Sequence, residues 1–269
     1  MLQKKDKKMI DYKTLFSRNI GILKEEEQEK IKNTKVAILG CGGGSEIARQ
    51  MVQSGFVSLK LADMDTVAPH NLNRQFYFQK DIGKKKTHAL DENLRMINPN
   101  ITTEILDQGV NTNNIEEIVY KSDLIIDAIP QDTALREEML LAREVRKSNN
   151  KYLLYFMDIV WGAKALIFSK TSQTLEEFYG LEPNCELYKL DKLSIEKRFS
   201  SYLENASSDM IRVGNMMYKR ELNYYPQMAL TVSLAGSVVA TMCIFLIMGK
   251  KIPLAPFIYH IDYYKDLVE

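Results

Sequence analysis

The run 36-VAILGCGGGSEIARQ-50 constrains the fold more than any other stretch of the chain. It passes from an apolar segment into a turn of small residues, and then into a pattern that predicts a helix through about Ser54. A glycine turn between a strand and a helix lets the backbone approach a phosphate, and the helix N-terminus adds free N–H groups and a positive dipole end. The run therefore predicts the first strand, turn and helix of a nucleotide-binding α/β fold.

The rest of the chain continues this alternation. Strand-like segments recur at 57–63, 101–107, 123–129, 151–157 and 164–169, with helical patterns at 81–97, 113–120 and 132–147. Alternating strands and helices predict a Rossmann-like, doubly wound α/β fold with a mostly parallel sheet and helices on both faces.

Three regions follow from this organisation. We predict a helical N-terminal lead-in at 1–34, a nucleotide-binding domain at 35–170, and a C-terminal part at 171–269 that belongs to the same globular unit. The C-terminal part holds a polar excursion, 172–225, which faces the substrate or a partner, and then a core helix.

The glycine turn and the acid that ends the second strand predict a nucleotide site. Gly40, Gly42, Gly43 and Gly44 come directly after the first strand, and Asp63 lies 23 residues after Gly40. An acid at about this spacing accepts hydrogen bonds from ribose hydroxyls. These residues alone allow NAD and ATP equally.

A polar and basic run follows that acid and bears on the choice of nucleotide. Asn71, Arg74, Gln75 and Lys86 all lie in 63-DMDTVAPHNLNRQFYFQKDIGKKKT-87. A dinucleotide is held mainly by a helix dipole and backbone N–H groups, whereas converging cations suit a triphosphate whose charge grows during attack at the α-phosphorus. The alternative is that Arg74 and the lysines are solvated surface charges, and spacing alone does not separate the two interpretations.

Charge and cysteine content limit the partners and the compartment. The 269 residues carry 36 basic and 35 acidic side chains, a net charge of +1, so we predict no DNA partner and no membrane partner. The three scattered cysteines and the absence of a signal-peptide pattern predict a cytoplasmic protein. The uncharged run 228–248 is long enough to span a bilayer, but its small residues suit a buried helix, which is the interpretation we adopt.

Several motifs occur together along residues 15–170: FSRNIGIL, the glycine turn, the run D-x-D-x-V…N-L-N-R-Q, G-K-K-K, the I-N-P helix end and the strand IIDAI. In this combination the chain resembles the ThiF/MoeB/HesA family, the bacterial relatives of ubiquitin-activating enzymes. The segment from Asp63 to Arg74 is the most specific part. The resemblance implies ATP rather than NAD, and the C-terminal apolar helix resembles the last core helix of the family.

The resemblance also implies roles for individual residues. Asp63 would bind the ribose, and Arg18 would reach into the nucleotide site of a partner subunit, which implies a functional homodimer. The triphosphate would be contacted by Asn71, Arg74, Gln75 and, at its α and β phosphates, Lys86. The implied reaction is attack by a carboxylate oxygen on the α-phosphorus of ATP, which gives an acyl-adenylate and pyrophosphate.

The chain departs from the family pattern at the turn and at the metal-binding acid. The turn 40-GCGGGS-45 is one residue shorter than the family's G-x-G-G-x-G-S, which would shift the nucleotide slightly. The family strand is followed by an aspartate that binds magnesium, but Pro130 stands in that place here. We predict Asp132 as the magnesium ligand and a catalytic residue, with Asp127 as the alternative.

A third departure concerns zinc. Many relatives carry a structural zinc on two CxxC pairs, whereas the segment 181-LEPNCELYKL-190 has only Cys185, with Tyr188 in place of a second cysteine. We therefore predict no zinc. Cys185 as a thioester nucleophile is an alternative, but no neighbouring residue in the sequence activates it.

The leading hypothesis is an ATP-dependent adenylyltransferase that activates the C-terminus or a side-chain carboxylate of a small protein or peptide. It would act in the maturation of a ribosomally made peptide or in sulfur transfer. One alternative is a tRNA-modifying dehydratase of the same superfamily, so a tRNA partner stays open. A second, motivated by Pro130, is a nucleotide-binding partner module without catalysis. An NAD-dependent oxidoreductase is disfavoured by Arg74 and Lys86.

Overall fold

The computed structural model describes residues 10–130, 134–192, 205–222 and 224–269. In this part of the chain, one sheet is formed by β1 (Lys35–Leu39), β2 (Ser58–Ala62), β3 (Thr102–Leu106), β4 (Leu124–Asp127), β5 (Tyr152–Ile159), β6 (Gly162–Phe168) and β7 (Tyr259–Asp262). The strand order is β3-β2-β1-β4-β5-β6-β7. The first five strands in this order are parallel, and β6 and β7 are antiparallel to their neighbours. The predicted α/β fold with a mostly parallel sheet is confirmed.

The helices of the described residues are α1 (Tyr12–Leu15), α2 (Glu25–Asn33), α3 (Gly44–Ser54), α4 (Lys86–Ile97), α5 (Ile115–Lys121), α6 (Leu135–Lys147), α7 (Leu175–Phe178), α8 (Ser208–Tyr218), α9 (Ala229–Ile247) and α10 (Tyr263–Leu267). Short 3₁₀ turns lie at Ser17–Asn19, Pro69–Asn71, Gln79–Asp81 and Leu187–Lys192. The helix predicted from residue 81 begins later, at Lys86, because Gly83 lies between the 3₁₀ turn and α4 with a φ of +86°, which a helix does not accept.

Alternate residues of each central strand face opposite sides of the sheet. Ile38 and Ile126 pack with α3, α4 and α9 on one side. Leu39 and Ile125 pack with α5, α6 and α7 on the other side. The central strands are therefore apolar on both faces, as expected for a parallel sheet that helices cover on both sides.

Helix α9 is long and apolar enough to cross a membrane by length and composition, and 44% of its most apolar window is buried. In the structure it packs against α3, β5 and β6. Gly236 allows the close approach to α3, because a Cβ there would lie 2.9 Å from Gln50 Nε2 and 3.4 Å from the Glu46 backbone.

Candidate functional site

The carboxyl ends of β1 and β4 form the topological switch point of the sheet. The chain leaves β1 for α3 on one face, and it returns from β4 to α6 on the other face. Ligands of open α/β sheets bind in the crevice at such a point. The predicted site residues that follow β1 and β2 lie at this edge.

The glycine turn is packed tightly against the end of β4. Gly40 has a φ of +91°, and a Cβ there would lie 2.3 Å from the Ala128 carbonyl oxygen. A Cβ at Gly44 would lie 2.8 Å from Ile38 Cγ2. Gly40 and Gly44 are therefore required by the protein's own packing. Gly42 has more room, since the nearest atom to a Cβ there is Gln75 Nε2 at 3.4 Å.

Gly43 lies over the sheet, where a Cβ would be 3.2 Å from Phe156 Cζ. The side chains of Ser45 and Tyr77, which spacing alone does not mark as site residues, also hold the turn. Ser45 Oγ donates to the Gly42 carbonyl at 2.6 Å and accepts the Phe76 N–H at 2.9 Å. The Tyr77 hydroxyl donates to the Cys41 carbonyl at 2.7 Å. These bonds join the turn to the segment that carries Arg74 and Gln75.

Asp63 fixes the turn with both carboxylate oxygens. Its Oδ2 accepts the Cys41 N–H at 2.7 Å, and its Oδ1 accepts the Asp65 N–H at 2.8 Å. The half-buried carboxylate keeps further lone pairs. Asp63 is thus positioned to accept ribose hydroxyls while it orders the turn.

Two cations lie beyond Asp63. The Lys86 side chain, which is 9% exposed, pairs with Asp65 across 2.8 Å from Nζ to Oδ2. Arg74 donates from Nε to Gln227 Oε1 at 2.7 Å, and from Nη1 to the His70 carbonyl at 2.8 Å and Asn73 Oδ1 at 2.7 Å. Burial lowers the pKa of Arg74, and the nearby Asp158 carboxylate opposes that change.

Asn71 and Gln75 differ in how their polar atoms are used. Asn71 is buried and its Oδ1 accepts the Ala68 N–H at 2.9 Å, so it shapes the local loop. Gln75 is also buried, and its Oε1 has no hydrogen-bond partner among the described residues. An unpaired buried carbonyl is costly. A ligand donor at this position would remove that cost.

The described residues include only one of the two predicted magnesium ligands, because Asp132 lies outside them. Asp127 ends β4 and is buried, and its Oδ1 accepts the Ile129 N–H at 3.1 Å. Burial raises the pKa of Asp127 to about 7. In the described part of the chain no group of three or more His, Cys, Asp or Glu residues could hold a metal ion.

The structure does not bring Arg18 to the nucleotide site of its own chain. Arg18 is exposed in the 3₁₀ turn at Ser17–Asn19. The adjacent Asn19 Nδ2 donates to the Ser54 carbonyl at 3.2 Å, at the C-terminal end of α3. Since α3 has 11 residues, its length of ~16 Å separates this end from the glycine turn.

Cys185 is buried beside an ion-pair cluster. Arg143 Nη2 donates to the Cys185 carbonyl at 2.5 Å and lies 3.9 Å from its sulfur. The Glu176 carboxylate, with no exposed surface, pairs with Arg143 at 2.7 Å and with Arg146 at 3.1 Å. The segment around Cys185 is thus attached to α6 by charged hydrogen bonds.

The fold and motifs of this chain match known proteins. The model of the ThiF family matches residues 16–269. The tRNA threonylcarbamoyladenosine dehydratase of Haemophilus influenzae is 33% identical over 103 residues, which cover 37% of this chain and 40% of that protein. The chain spans less than half the length of the curated relatives that it matches.

Two solved structures share the fold over most of the chain. PaaA has a TM-score of 0.67 at 21% identity, with 97% of this chain and 86% of that chain covered. MccB of E. coli, solved with ATP, has a TM-score of 0.60 at 18% identity, with 88% of this chain and 66% of that chain covered. At these identities the likeness shows the fold.

Proposed function

The chain belongs to the ThiF family, and from this premise we propose that it is an ATP-dependent adenylyltransferase that activates a carboxylate. A carboxylate oxygen attacks the α-phosphorus, the bond from that phosphorus to the β-phosphate oxygen breaks, and pyrophosphate leaves. One observation carries the proposal. Hydrogen bonds connect the glycine turn directly to Asp63 and, through Ser45 and Tyr77, to the segment that carries Arg74 and to the Lys86 backbone.

Charge stabilisation is the main contribution that this site makes to such a reaction, because no protein nucleophile is needed. The Lys86 side chain is largely buried, and its Nζ, which pairs with the exposed Asp65, would supply positive charge to the phosphates. Mg²⁺ binds one or two carboxylates together with phosphate oxygens rather than a full protein cage. Asp127 or Asp132 would supply that carboxylate.

The proposed substrate is the C-terminus or a side-chain carboxylate of a small protein or peptide. The protein would act in the maturation of a ribosomally made peptide or in sulfur transfer. MccB, which shares the fold, has been solved with ATP and also with AMPCPP and MccA. We further propose a cytoplasmic homodimer in which Arg18 serves the partner's site.

A second candidate is the tRNA-modifying dehydratase, which the relative from Haemophilus influenzae favours. That enzyme class would use the same adenylation site on a carboxylate carried by a base. A nucleotide-binding module without catalysis is the third candidate, because Pro130 replaces the family's acid.

ATP–pyrophosphate exchange with Mg²⁺ tests these functions, with peptides encoded beside the gene and tRNA as separate acceptors. We expect exchange that depends on a peptide and falls ~100-fold in Lys86→Ala, since one charge-stabilising group is removed. Lys84→Ala is the matched control, because Lys84 lies near Lys86 but pairs with Glu92 and Asp81 rather than with Asp65. Asp132→Ala tests the metal ligand.

Each outcome selects one function. Exchange that requires tRNA would support the dehydratase. ATP binding without exchange on any acceptor would support the non-catalytic module. Equal exchange in Lys86→Ala and Lys84→Ala would contradict the proposed role of Lys86.

A further inference from the structure

Arg74 is the first member of a hydrogen-bonded series that crosses the site. Its Nε donates to Gln227 Oε1 at 2.7 Å, and Gln227 Nε2 donates to Asp158 Oδ1 at 3.0 Å. The backbone is also joined here, since Asn73 Nδ2 donates to the Gln227 carbonyl at 3.3 Å. The series connects three segments that are distant in sequence.

The chemistry of these groups fixes the direction of the series. A guanidinium can only donate hydrogen bonds, and an ionised carboxylate can only accept them. Gln227 satisfies both, because its amide has an acceptor for Arg74 and a donor for Asp158. A glutamate at this position would instead place a second carboxylate against Asp158.

The hydrogen bonds of Arg74 leave one nitrogen of its guanidinium available. Nε is held by Gln227, and Nη1 is held by the His70 carbonyl and Asn73 Oδ1. Within the described part of the chain, Nη2 makes no hydrogen bond. A guanidinium fixed by two of its nitrogens can offer the third to a phosphate oxygen without losing further rotational freedom.

The two supporting residues are placed by elements that also shape the glycine turn. β5 extends beyond Asp127, the last paired residue of β4, so Asp158 lies past the carboxyl end of that strand. Phe156, two residues earlier on the same face, lies under Gly43. Gln227 directly precedes the N-terminal region of α9, where Val232 also reaches the position of a Gly43 Cβ, at 4.0 Å.

We propose that Gln227 and Asp158 are positioning residues that hold Arg74 with Nη2 directed toward the phosphates of the bound nucleotide. This inference rests on the proposed function, since it assigns Arg74 to the triphosphate. Gln227 acts through Arg74 and does not touch the reacting atoms. Its removal therefore matters only while Arg74 is present.

A double-mutant cycle on ATP affinity and on pyrophosphate exchange tests this dependence. We expect a loss of ~10-fold in Gln227→Ala and ~100-fold in Arg74→Ala, and the double variant should lose no more than Arg74→Ala alone. Gln227→Glu should also lose ATP affinity, because a carboxylate would neutralise Arg74. Tyr225→Phe is the control, since the Tyr225 hydroxyl donates to the Asp158 backbone carbonyl, at 2.9 Å, and not to the Asp158 carboxylate.

The results separate this inference from the proposed function. Suppose that the wild type catalyses exchange. If the losses of the two single variants multiply in the double variant, or if Gln227→Ala shows no loss, the positioning role is overturned and adenylation stands. ATP binding without exchange would overturn adenylation, and the cycle on ATP affinity would then decide the positioning role. Absence of ATP binding would overturn both.

Discussion

The Asp63 carboxylate accepts the Cys41 N–H at 2.7 Å, so the acid that follows β2 and the turn that follows β1 form one structural unit. Its other oxygen accepts the Asp65 N–H. We expect Asp63→Asn to leave one of these N–H groups unpaired, because an amide has a single acceptor atom. The expected result is a loss of ~10-fold or more in ATP affinity, measured by calorimetry, and of ~1–3 kcal/mol in stability.

Asp123→Asn is the matched control for Asp63→Asn. Asp123 Oδ2 also accepts a backbone N–H, that of Lys35, but at the opposite edge of the same sheet. This variant should lose stability without losing ATP affinity. Equal ATP affinity in the two variants would contradict the ribose-binding role of Asp63.

Because the Asp127 carboxyl is buried, we predict an unusual dependence of stability on pH. Burial raises the pKa of its carboxyl to about 7 in the folded chain, whereas the unfolded chain titrates near the ordinary value. From about pH 4 to 7 the folded chain holds a proton that the unfolded chain has released. The free energy of unfolding should therefore fall as pH rises through this window, by up to ~1.4 kcal/mol per pH unit.

Urea unfolding between pH 5 and 8 measures this slope. Asp127→Asn should remove the slope, because the amide does not titrate, and it should be more stable than the wild type above pH 7. Asp123 is exposed and directly precedes β4, so Asp123→Asn should keep the dependence of stability on pH. A slope that persists in Asp127→Asn would assign the titration to another group.

Glu176 provides a test of how the segment around Cys185 is held. Burial alone raises the pKa of this carboxyl, but the hydrogen bonds from Arg143 and Arg146 outweigh it and leave the pKa below its ordinary value. The stability that these ion pairs contribute is fully present above the ordinary pKa of glutamate. It is lost as the pH falls through the lowered pKa of Glu176 in the folded chain. We expect Glu176→Gln to cost ~3 kcal/mol at neutral pH, because it leaves two cations without their carboxylate.

Urea unfolding of Glu117→Gln supplies the comparison. Glu117 pairs with Lys121 on the surface of α5, and both side chains are more than half exposed. Its loss should cost much less than the loss of Glu176, because solvent screens an exposed ion pair. Addition of EDTA to the wild type should leave the unfolding midpoint unchanged, which tests the prediction that no structural zinc is bound.

Most of the sheet and part of the site could be predicted because their signals are local. β1, β4, β5 and β6 are largely apolar runs, β2 and β3 are strand-like segments between helical patterns, and the glycine turn and Asp63 follow from spacing. β7 was missed because His260 and Asp262 interrupt its short pattern and its partner β6 is far away in sequence. The close approach of β7 to β6 requires Gly162, because a Cβ there would lie 1.9 Å from the Ile261 carbonyl.

The contacts of Arg74 could not be predicted from the sequence for a related reason. Gln227 is 153 residues away from it, and a lone glutamine after a weakly periodic segment carries no pattern. α8 lies in that same segment and was not predicted as a helix. Its N-cap Ser207, which accepts the Met210 N–H, is the local signal that marks its start.

From the position of Arg18 we predict that activity depends on a second subunit. Its segment is fixed to the far end of α3 by Asn19 and by Tyr12, whose hydroxyl donates to the Gly55 carbonyl at 2.8 Å. Arg18 therefore cannot join Lys86 in the same chain without releasing these bonds. We expect Arg18→Ala and Lys86→Ala each to lose most pyrophosphate exchange, and Lys13→Ala, an exposed cation of the same segment, to lose none.

Mixing the two inactive variants after dissociation distinguishes action in trans from action in cis. In a two-fold dimer the mixed species has one site with both changes and one site with neither. Random assortment makes half of the dimers mixed, so about a quarter of the wild-type exchange should return. Action in cis would return nothing, because every site would then carry one change or the other. Recovery near a quarter, with none in either variant dissociated and reassembled alone, would place Arg18 at the site of its partner.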